Sequence, residues 1–392
     1  MLIKKVTNLI YFDNNATTPL HPKIVKKIKD CFENLYYNPS SIYTPSKYIK
    51  SIIEETRENI KTFFNANFDS RVIFTSGGTE ANNLIIKGIA YYFGKKYHYI
   101  TSEIEHPSVL NTFKRLKKEG FDVSFVKVDK NTIIDLEDLK KKLKPNTKFI
   151  SIMIANNESG AIEPLKNIIE VVKNFKDDII IHSDFVQGAG KIRIDLKEYD
   201  VDSFSISGHK LYALKGVGAL WVKNKKIFEK IVPLFDGGHQ EYSIRPGTEN
   251  VIGIYSLNEA IKLLKTELNT RIKYIKELRD YFEKKLIDKL ADEVYIVAKD
   301  APRVCNTSYV IFKNVNVLDL LVILDINDIA VSTGSACQAG LPEPSHVLKA
   351  AGIEQRYLKN AIRFSFGIFN KKEEIDILMG VLKQSVIKLK EV

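Results

Sequence analysis

Cysteine is scarce in this chain. Three occur in 392 residues, and no two form a C-x-x-C pair, which argues against a disulfide framework and against a zinc site built on cysteine pairs. Seven histidines are present without H-E-x-x-H or any other metal-ligand spacing, so no metal is expected. Long hydrophobic runs are missing too. None approaches the roughly 18–20 apolar residues that a membrane span needs, and the opening "MLIKKVTNLIYFDNN" turns polar too soon for a secretory signal. A soluble protein of a reducing, cytoplasmic compartment is expected, with no membrane partner. Familiar nucleotide fingerprints also fail on detail. "GAGKI" at 188–192 lacks the spacing and the hydroxyl of a P-loop, and "GVGALW" at 216–221 lacks the third glycine of a dinucleotide site.

Acidic residues are fewer than basic ones: 59 Lys and Arg against 48 Asp and Glu leave a net charge of +11. The lysines are dispersed through stretches such as "KRLKKEG" and "KKKLK", which read as solvated helix faces. A direct nucleic-acid role is therefore not expected, while attraction of acidic protein partners is compatible with the charge.

Apolar content of 44% and the length suffice for a large core and two or three domains. From about 71 to 222, short apolar runs ("RVIFT", "YHYIT", "FDVSFVKV", "TKFISIMIA", "DIIIHSD", "VDSFSIS", "GVGALWV") alternate with amphipathic stretches such as "EANNLIIKGIAYYF", "PSVLNTFKRLKKEG" and "LKNIIEVVKNF". The alternation predicts an α/β unit with a mostly parallel sheet covered by helices on both faces. Near 255 the pattern changes to one long amphipathic helix, followed by strands and helices of a smaller α+β domain. The expected division is 14–256 for the large domain, and 1–13 plus 257–392 for the small one.

Ligands of open α/β sheets collect beyond the carboxyl ends of the strands, and the residues there form a set. "RVIFT" is followed by "SGGTEANN", where backbone N–H groups and a helix dipole suit a phosphate. "YHYIT" leads to His106, "TKFISIMIA" to "NNESG", "DIIIHS" to Asp184 and Gln187, and "VDSFSI" to Ser207, His209 and Lys210. Taken singly, each has an ordinary structural explanation: a turn cap, a loop histidine, a solvated lysine. Together, a phosphate nest, a carboxylate and a desolvated lysine are what pyridoxal phosphate requires.

One cysteine stands apart. Cys337 lies in "VSTGSACQAGLPEPS", a segment of small residues, glycines and prolines with no periodicity, which reads as a presenting loop. Cys31 shares helical spacing with Ile24, Ile28 and Phe32 and reads as core. Cys305 precedes a strand and reads as buried.

The segments "YFDNNATTP", "TSGGTEANN", "EIEHPSV", "ANNESGAIEP", "HSDFVQGAGK", "SISGHKLYALKGVGALWV", "RPGTEN", "STGSAC" and "IRFSFG" resemble the NifS/IscS-type cysteine desulfurases of the class V aminotransferase family, in order and from about residue 10 onward. The resemblance implies fold type I of the pyridoxal-phosphate enzymes and conversion of L-cysteine to L-alanine, with sulfur left as a persulfide on Cys337. It implies that Lys210 forms a Schiff base with pyridoxal 5'-phosphate, Asp184 pairs with the pyridine nitrogen, Gln187 bonds the phenolic oxygen, and His106 stacks on the ring and moves protons. Thr79, Ser207, His209 and the backbone near Gly78 would hold the phosphate, with Thr248 completing that site across a homodimer. Asn157 and Arg363 would hold the substrate carboxylate. The implied partners are an iron–sulfur scaffold protein, with Cys337 as the point of contact with its cluster, or another sulfur acceptor of tRNA or cofactor thiolation.

Tyr43, Ser46, Ala213-Leu214 and His239 depart from the family's usual residues at the rim of the site. The alternative within the same fold is a selenocysteine lyase, and outside enzymes a non-catalytic scaffold protein. The long "TGSAC…EPSHVL" form of the loop favours the desulfurase.

Overall fold

The computed structural model describes residues 9–334, 337–338, 341–342 and 344–390. Its centre is a seven-stranded sheet in the spatial order Arg71–Thr75, Gly218–Val222, Ser203–Ser207, Ile180–Asp184, Thr147–Ser151, His98–Ser102 and Asp122–Val126. Only Gly218–Val222 runs antiparallel to its neighbours. All seven apolar runs read as strands in this region are strands of this one sheet.

Residues of opposite parity feed opposite layers. Val72, Phe74, Ile150, Ile181 and Trp221 belong to one apolar cluster, with residues of the helices Thr44–Phe63 and Leu165–Phe175. Ile73, Phe149, Ile180, Leu220 and Val222 belong to another, with residues of the helices Gly78–Phe93 and Pro107–Lys118. Burial on both faces explains why these strands read as continuous apolar runs rather than alternating ones.

The helix expected from about 255 begins earlier, at Val251, because Asn250 caps it by accepting from the Gly253 N–H. It then runs 40 residues to Leu290 and spans the expected boundary at 256/257. Its first half, from Val251 to Leu264, packs in the same cluster as Trp221. Its second half, from Ile275 to Leu290, joins a separate core with Phe12, Val310, Phe312, Ile362 and Phe364. That core covers a three-stranded antiparallel sheet of Ala361–Ser365, Thr307–Phe312 and Val294–Ile296. Among the described residues no helix is long and apolar enough to cross a membrane.

One core assignment from periodicity is corrected. Cys31 is buried with Ile24 and Ile28, but Phe32 is 66% exposed. The helix Pro22–Lys29 ends at Asp30, and the short helix Cys31–Asn34 starts a new axis, so the spacing does not carry through.

Candidate active site

At the carboxyl edge of the large sheet, residues from five strand ends line one cavity of about 280 Å³. Gly78, Thr79, His106, Asn157, Asp184, Gln187, Ser207, His209 and Lys210 all face it. A second cavity of about 490 Å³ shares His106, Asn157, Gln187 and Lys210 and extends to Arg363, His346, Gly334 and Pro344.

Two glycines shape the phosphate-like end. A Cβ on Gly218 would stand 2.6 Å from the Gly77 backbone, so only glycine lets the turn after Thr75 lie against that strand. A Cβ on Gly78 would stand 2.7 Å from Val186 Cγ2. The 16-residue helix starting at Gly78 therefore points its unpaired first-turn N–H groups at the cavity, beside Thr79 and Ser207.

Asp184 is buried; Oδ1 accepts from the Val186 N–H at 2.8 Å and Oδ2 from Asn82 Nδ2 at 2.7 Å. Burial pushes its carboxyl up, so a cationic N–H donor in the cavity would offset the cost of keeping it charged. The Lys210 ammonium donates to the carbonyls of Asn15 and Ala16. Burial, and then the Arg363 charge, bring its pKa from 10.5 down to about 8.

His106 caps the helix Pro107–Lys118: its Nδ1 accepts from the Ser108 N–H at 3.1 Å. Burial first, and then neighbouring cations led by Lys210, lower its pKa to about 4, so the ring is neutral near pH 7. Since the Ser108 N–H can only donate, Nδ1 carries no proton and the N–H is at Nε2.

Arg363 is on the strand Ala361–Ser365, opposite in facing to the core residues Ile362 and Phe364. Its Nη1 donates to the Asn157 carbonyl and its Nη2 to Asp13 Oδ1, each at 2.9 Å. Its Nε and the Asn157 Oδ1 are buried without a hydrogen-bond partner among the described residues.

One expected site residue is not in this cluster. Thr248 is exposed and does not line its own chain's cavity. The backbone of Cys337 and Gln338 pairs antiparallel with that of Leu341 and Pro342, where no regular structure was expected. The Cys337 side chain lies outside the described residues. The other two cysteines are buried, and burial raises both thiols, that of Cys305 to about 11.

Sequence reasoning missed Asp13, Asn15, Asn82 and Lys191. Asn15 stands at the centre: its carbonyl accepts from Lys210, its Oδ1 from Lys191 at 2.7 Å, and its Nδ2 donates to the Asn157 carbonyl at 3.2 Å. The motifs "DNNATTP" and "QGAGK" were the available signal, but their polar side chains resemble ordinary turn residues until the fold joins them.

Residues 10–378 match the family model described as Aminotransferase class-V. The chain is 40% identical over 384 residues to "Cysteine desulfurase IscS" of Dictyoglomus turgidum, covering 98% of this chain and 96% of the relative. It superposes on a solved "NifS-like protein" with a TM-score of 0.90 at 33% identity, covering 97% of this chain and 100% of the other. It also resembles a structure described as SspA in complex with cysteine, with a TM-score of 0.78 at 31% identity, covering 92% of this chain and 100% of that one.

Proposed function

The chain belongs to the class-V aminotransferase family and, within it, to the cysteine desulfurases of the IscS/NifS type, and from that premise we propose that it converts L-cysteine to L-alanine and carries the sulfur as a persulfide on Cys337. The observation that carries the reading is the continuity of the two cavities. One holds Lys210, Asp184 and the glycine cradle; the other holds Arg363 and is bordered by Gly334 and Pro344, which flank the Cys337 segment.

The residues fit pyridoxal 5'-phosphate. Lys210 would hold it covalently, Asp184 would face its pyridine nitrogen, and Gln187 its phenolic oxygen. The helix N-terminus at Gly78, with Thr79, Ser207 and His209, would hold its phosphate. When bound, that cofactor supplies the electron sink that eases loss of a proton and of sulfur from the amino acid. Arg363 and Asn157 orient the substrate by its carboxylate; the Arg363 fork suits it, and Asp13 competes for the same guanidinium. His106, a neutral ring with its N–H at Nε2, would hold a proton at that atom and face the cavity that takes the substrate. The depressed pKa of Lys210 lets its amine shed and regain a proton near neutral pH.

The sulfur step balances without an outside oxidant. The Cβ–S bond of cysteine breaks, an S–S bond forms to the Cys337 thiolate, and the carbon is reduced to the methyl of alanine as the two sulfurs are oxidised. The raised thiols of Cys31 and Cys305 make them poor nucleophiles, which supports Cys337 as the acceptor. An iron–sulfur scaffold protein, meeting its cluster through Cys337, or a tRNA- or cofactor-thiolation protein would then take the sulfur. A cytoplasmic, reducing setting suits that chemistry. A homodimer accounts for Thr248, which is exposed in its own chain and would serve the partner's phosphate.

The test supplies L-cysteine to the cofactor-loaded protein, measures alanine and locates the added sulfur by mass spectrometry. Cys337→Ser should keep the cofactor and its spectral response to cysteine, yet release no alanine. Turnover at the parent rate would sink the assignment. Alanine release from selenocysteine alone, and not from cysteine, would favour the lyase.

A further inference from the structure

Lys191 is buried, makes no ion pair among the described residues, and has no part in the reading above. The chain turns tightly from Phe185 to Lys191, with the Ala189 N–H bonded to the Phe185 carbonyl and the Lys191 N–H to that of Gly188. The turn brings residues 187 and 191 to the same side. Lys191 Nζ donates to Gln187 Oε1 and, at 2.7 Å, to Asn15 Oδ1. On its other side, Gln187 Nε2 donates to the Asn15 carbonyl at 3.1 Å. The ionisable groups facing Lys191 are Lys210, Arg363 and Cys305; burial, and then the Lys210 charge, hold its pKa well below that of a free lysine.

Lys191 Nζ meets two amide oxygens and can only donate to them, whereas a carbonyl has only an acceptor. Gln187 is therefore held between a group that donates to its oxygen and a group that can only accept from its N–H. Neither contact survives a flip of the amide. We infer that Lys191 is a positioning residue that locks the Gln187 amide so that its remaining Nε2–H is presented to the cofactor cavity as a hydrogen-bond donor for an anionic oxygen. This rests on the reading that the cavity takes pyridoxal phosphate, whose phenolic oxygen is the anion in question. The requirement is costly, since the N–H groups of a buried lysine need acceptors. It accounts for a lysine where a shorter or apolar residue would pack.

A donor on the phenolic oxygen draws its charge away from the proton shared with the Lys210-derived nitrogen. That lowers the midpoint at which the cofactor's visible band titrates. Without the lock the amide can turn its oxygen to the cavity, and the midpoint rises. The change expected is on the order of one pH unit, tenfold in the proton equilibrium, as for loss of a hydrogen bond to a charged group.

The experiment titrates the visible band of the pyridoxal-phosphate-loaded, full-length protein as the parent, Lys191→Met, Gln187→Leu and the double variant. The expected result is a raised midpoint in both single variants and no further rise in the double one, because Lys191 acts through Gln187. An unchanged midpoint in Lys191→Met overturns the inference. So does an additive shift in the double variant, since the ammonium would then act as a charge through space. Should Lys191→Met fail to fold, Lys191→Arg decides. Arginine is also donor-only and should keep the parent midpoint, and a shift as large as that of Gln187→Leu overturns the proposal. A parent protein that develops no visible band with added cofactor would instead refute the cofactor reading itself.

Discussion

The depressed pKa of Lys210 predicts a measurable break in its reactivity. Burial is the main cause, followed by the Arg363 charge, and the pKa falls from 10.5 to about 8. At pH 7.5, a pKa of about 8 leaves about a quarter of the amine neutral, whereas an unperturbed lysine has about one part in a thousand. The protein thus holds roughly two hundred times more of the nucleophilic form. The assay is the rate at which cofactor-free protein captures pyridoxal phosphate at each pH, divided by the rate for Nα-acetyl-lysine, so that the aldehyde's own ionisation cancels. Below pH 8 both amines gain neutral form tenfold per unit, and the ratio is flat. Above about 8 the protein saturates while the free lysine does not, and the ratio falls about tenfold per unit. A ratio that stays flat to pH 10 would refute a desolvated Lys210. Arg363→Met should move the break to higher pH, because it removes a cation that disfavours the protonated amine.

Asp184→Asn should weaken cofactor retention and cut turnover at least a hundredfold, an effect of the size expected for a positioned ionic group; equilibrium dialysis and alanine release check it, and near-parent values would remove Asp184 from the site. Mixing an inactive Lys210→Ala chain with an inactive Thr248→Ala chain should restore part of the activity, with sedimentation confirming a dimer; a fully active monomer would end the shared-site reading. Glu241→Ala should destabilise the fold by about 3–5 kcal/mol in urea unfolding. It strips the buried Arg57 of a bidentate partner at 2.7 and 2.9 Å and the Phe74 N–H of its acceptor. That partnership also anchors Glu241, Tyr242 and Ser243, three consecutive residues with φ between 47° and 65°. A loss below about 1 kcal/mol would mean that the segment is held by other contacts.

Much of this molecule is local in origin. The seven central strands are short apolar runs bounded by turns, and apolar residues at consecutive positions can only be satisfied where both faces are covered. Their order along the chain was therefore enough to announce a parallel α/β sheet, and the residues beyond their ends enough to name Lys210, Asp184, His106 and Gln187. Arg363 could be read the same way, because Ile362 and Phe364 claim the opposite face of its strand. The family motifs narrowed the chemistry further. Where the reading went astray, a local pattern was broken by a non-local cause. Phe32 kept helical spacing across a change of axis, and the long helix started at a cap whose value depends on the turn it closes.

Tertiary structure alone decided which polar groups meet. Asn15 lies 176 positions from Lys191 and 195 from Lys210, yet bonds both. Asp13 holds Arg363 across 350 positions. Hydrogen bonds and ion pairs at such separations leave no periodicity, because each partner's position is set by the packing of its own element. The same holds for pKa values: desolvation is a property of the closed cavity. Sequence identifies a lysine at 210 and another at 191. Only the fold makes one of them a reactive amine and the other the clamp of a neighbouring amide.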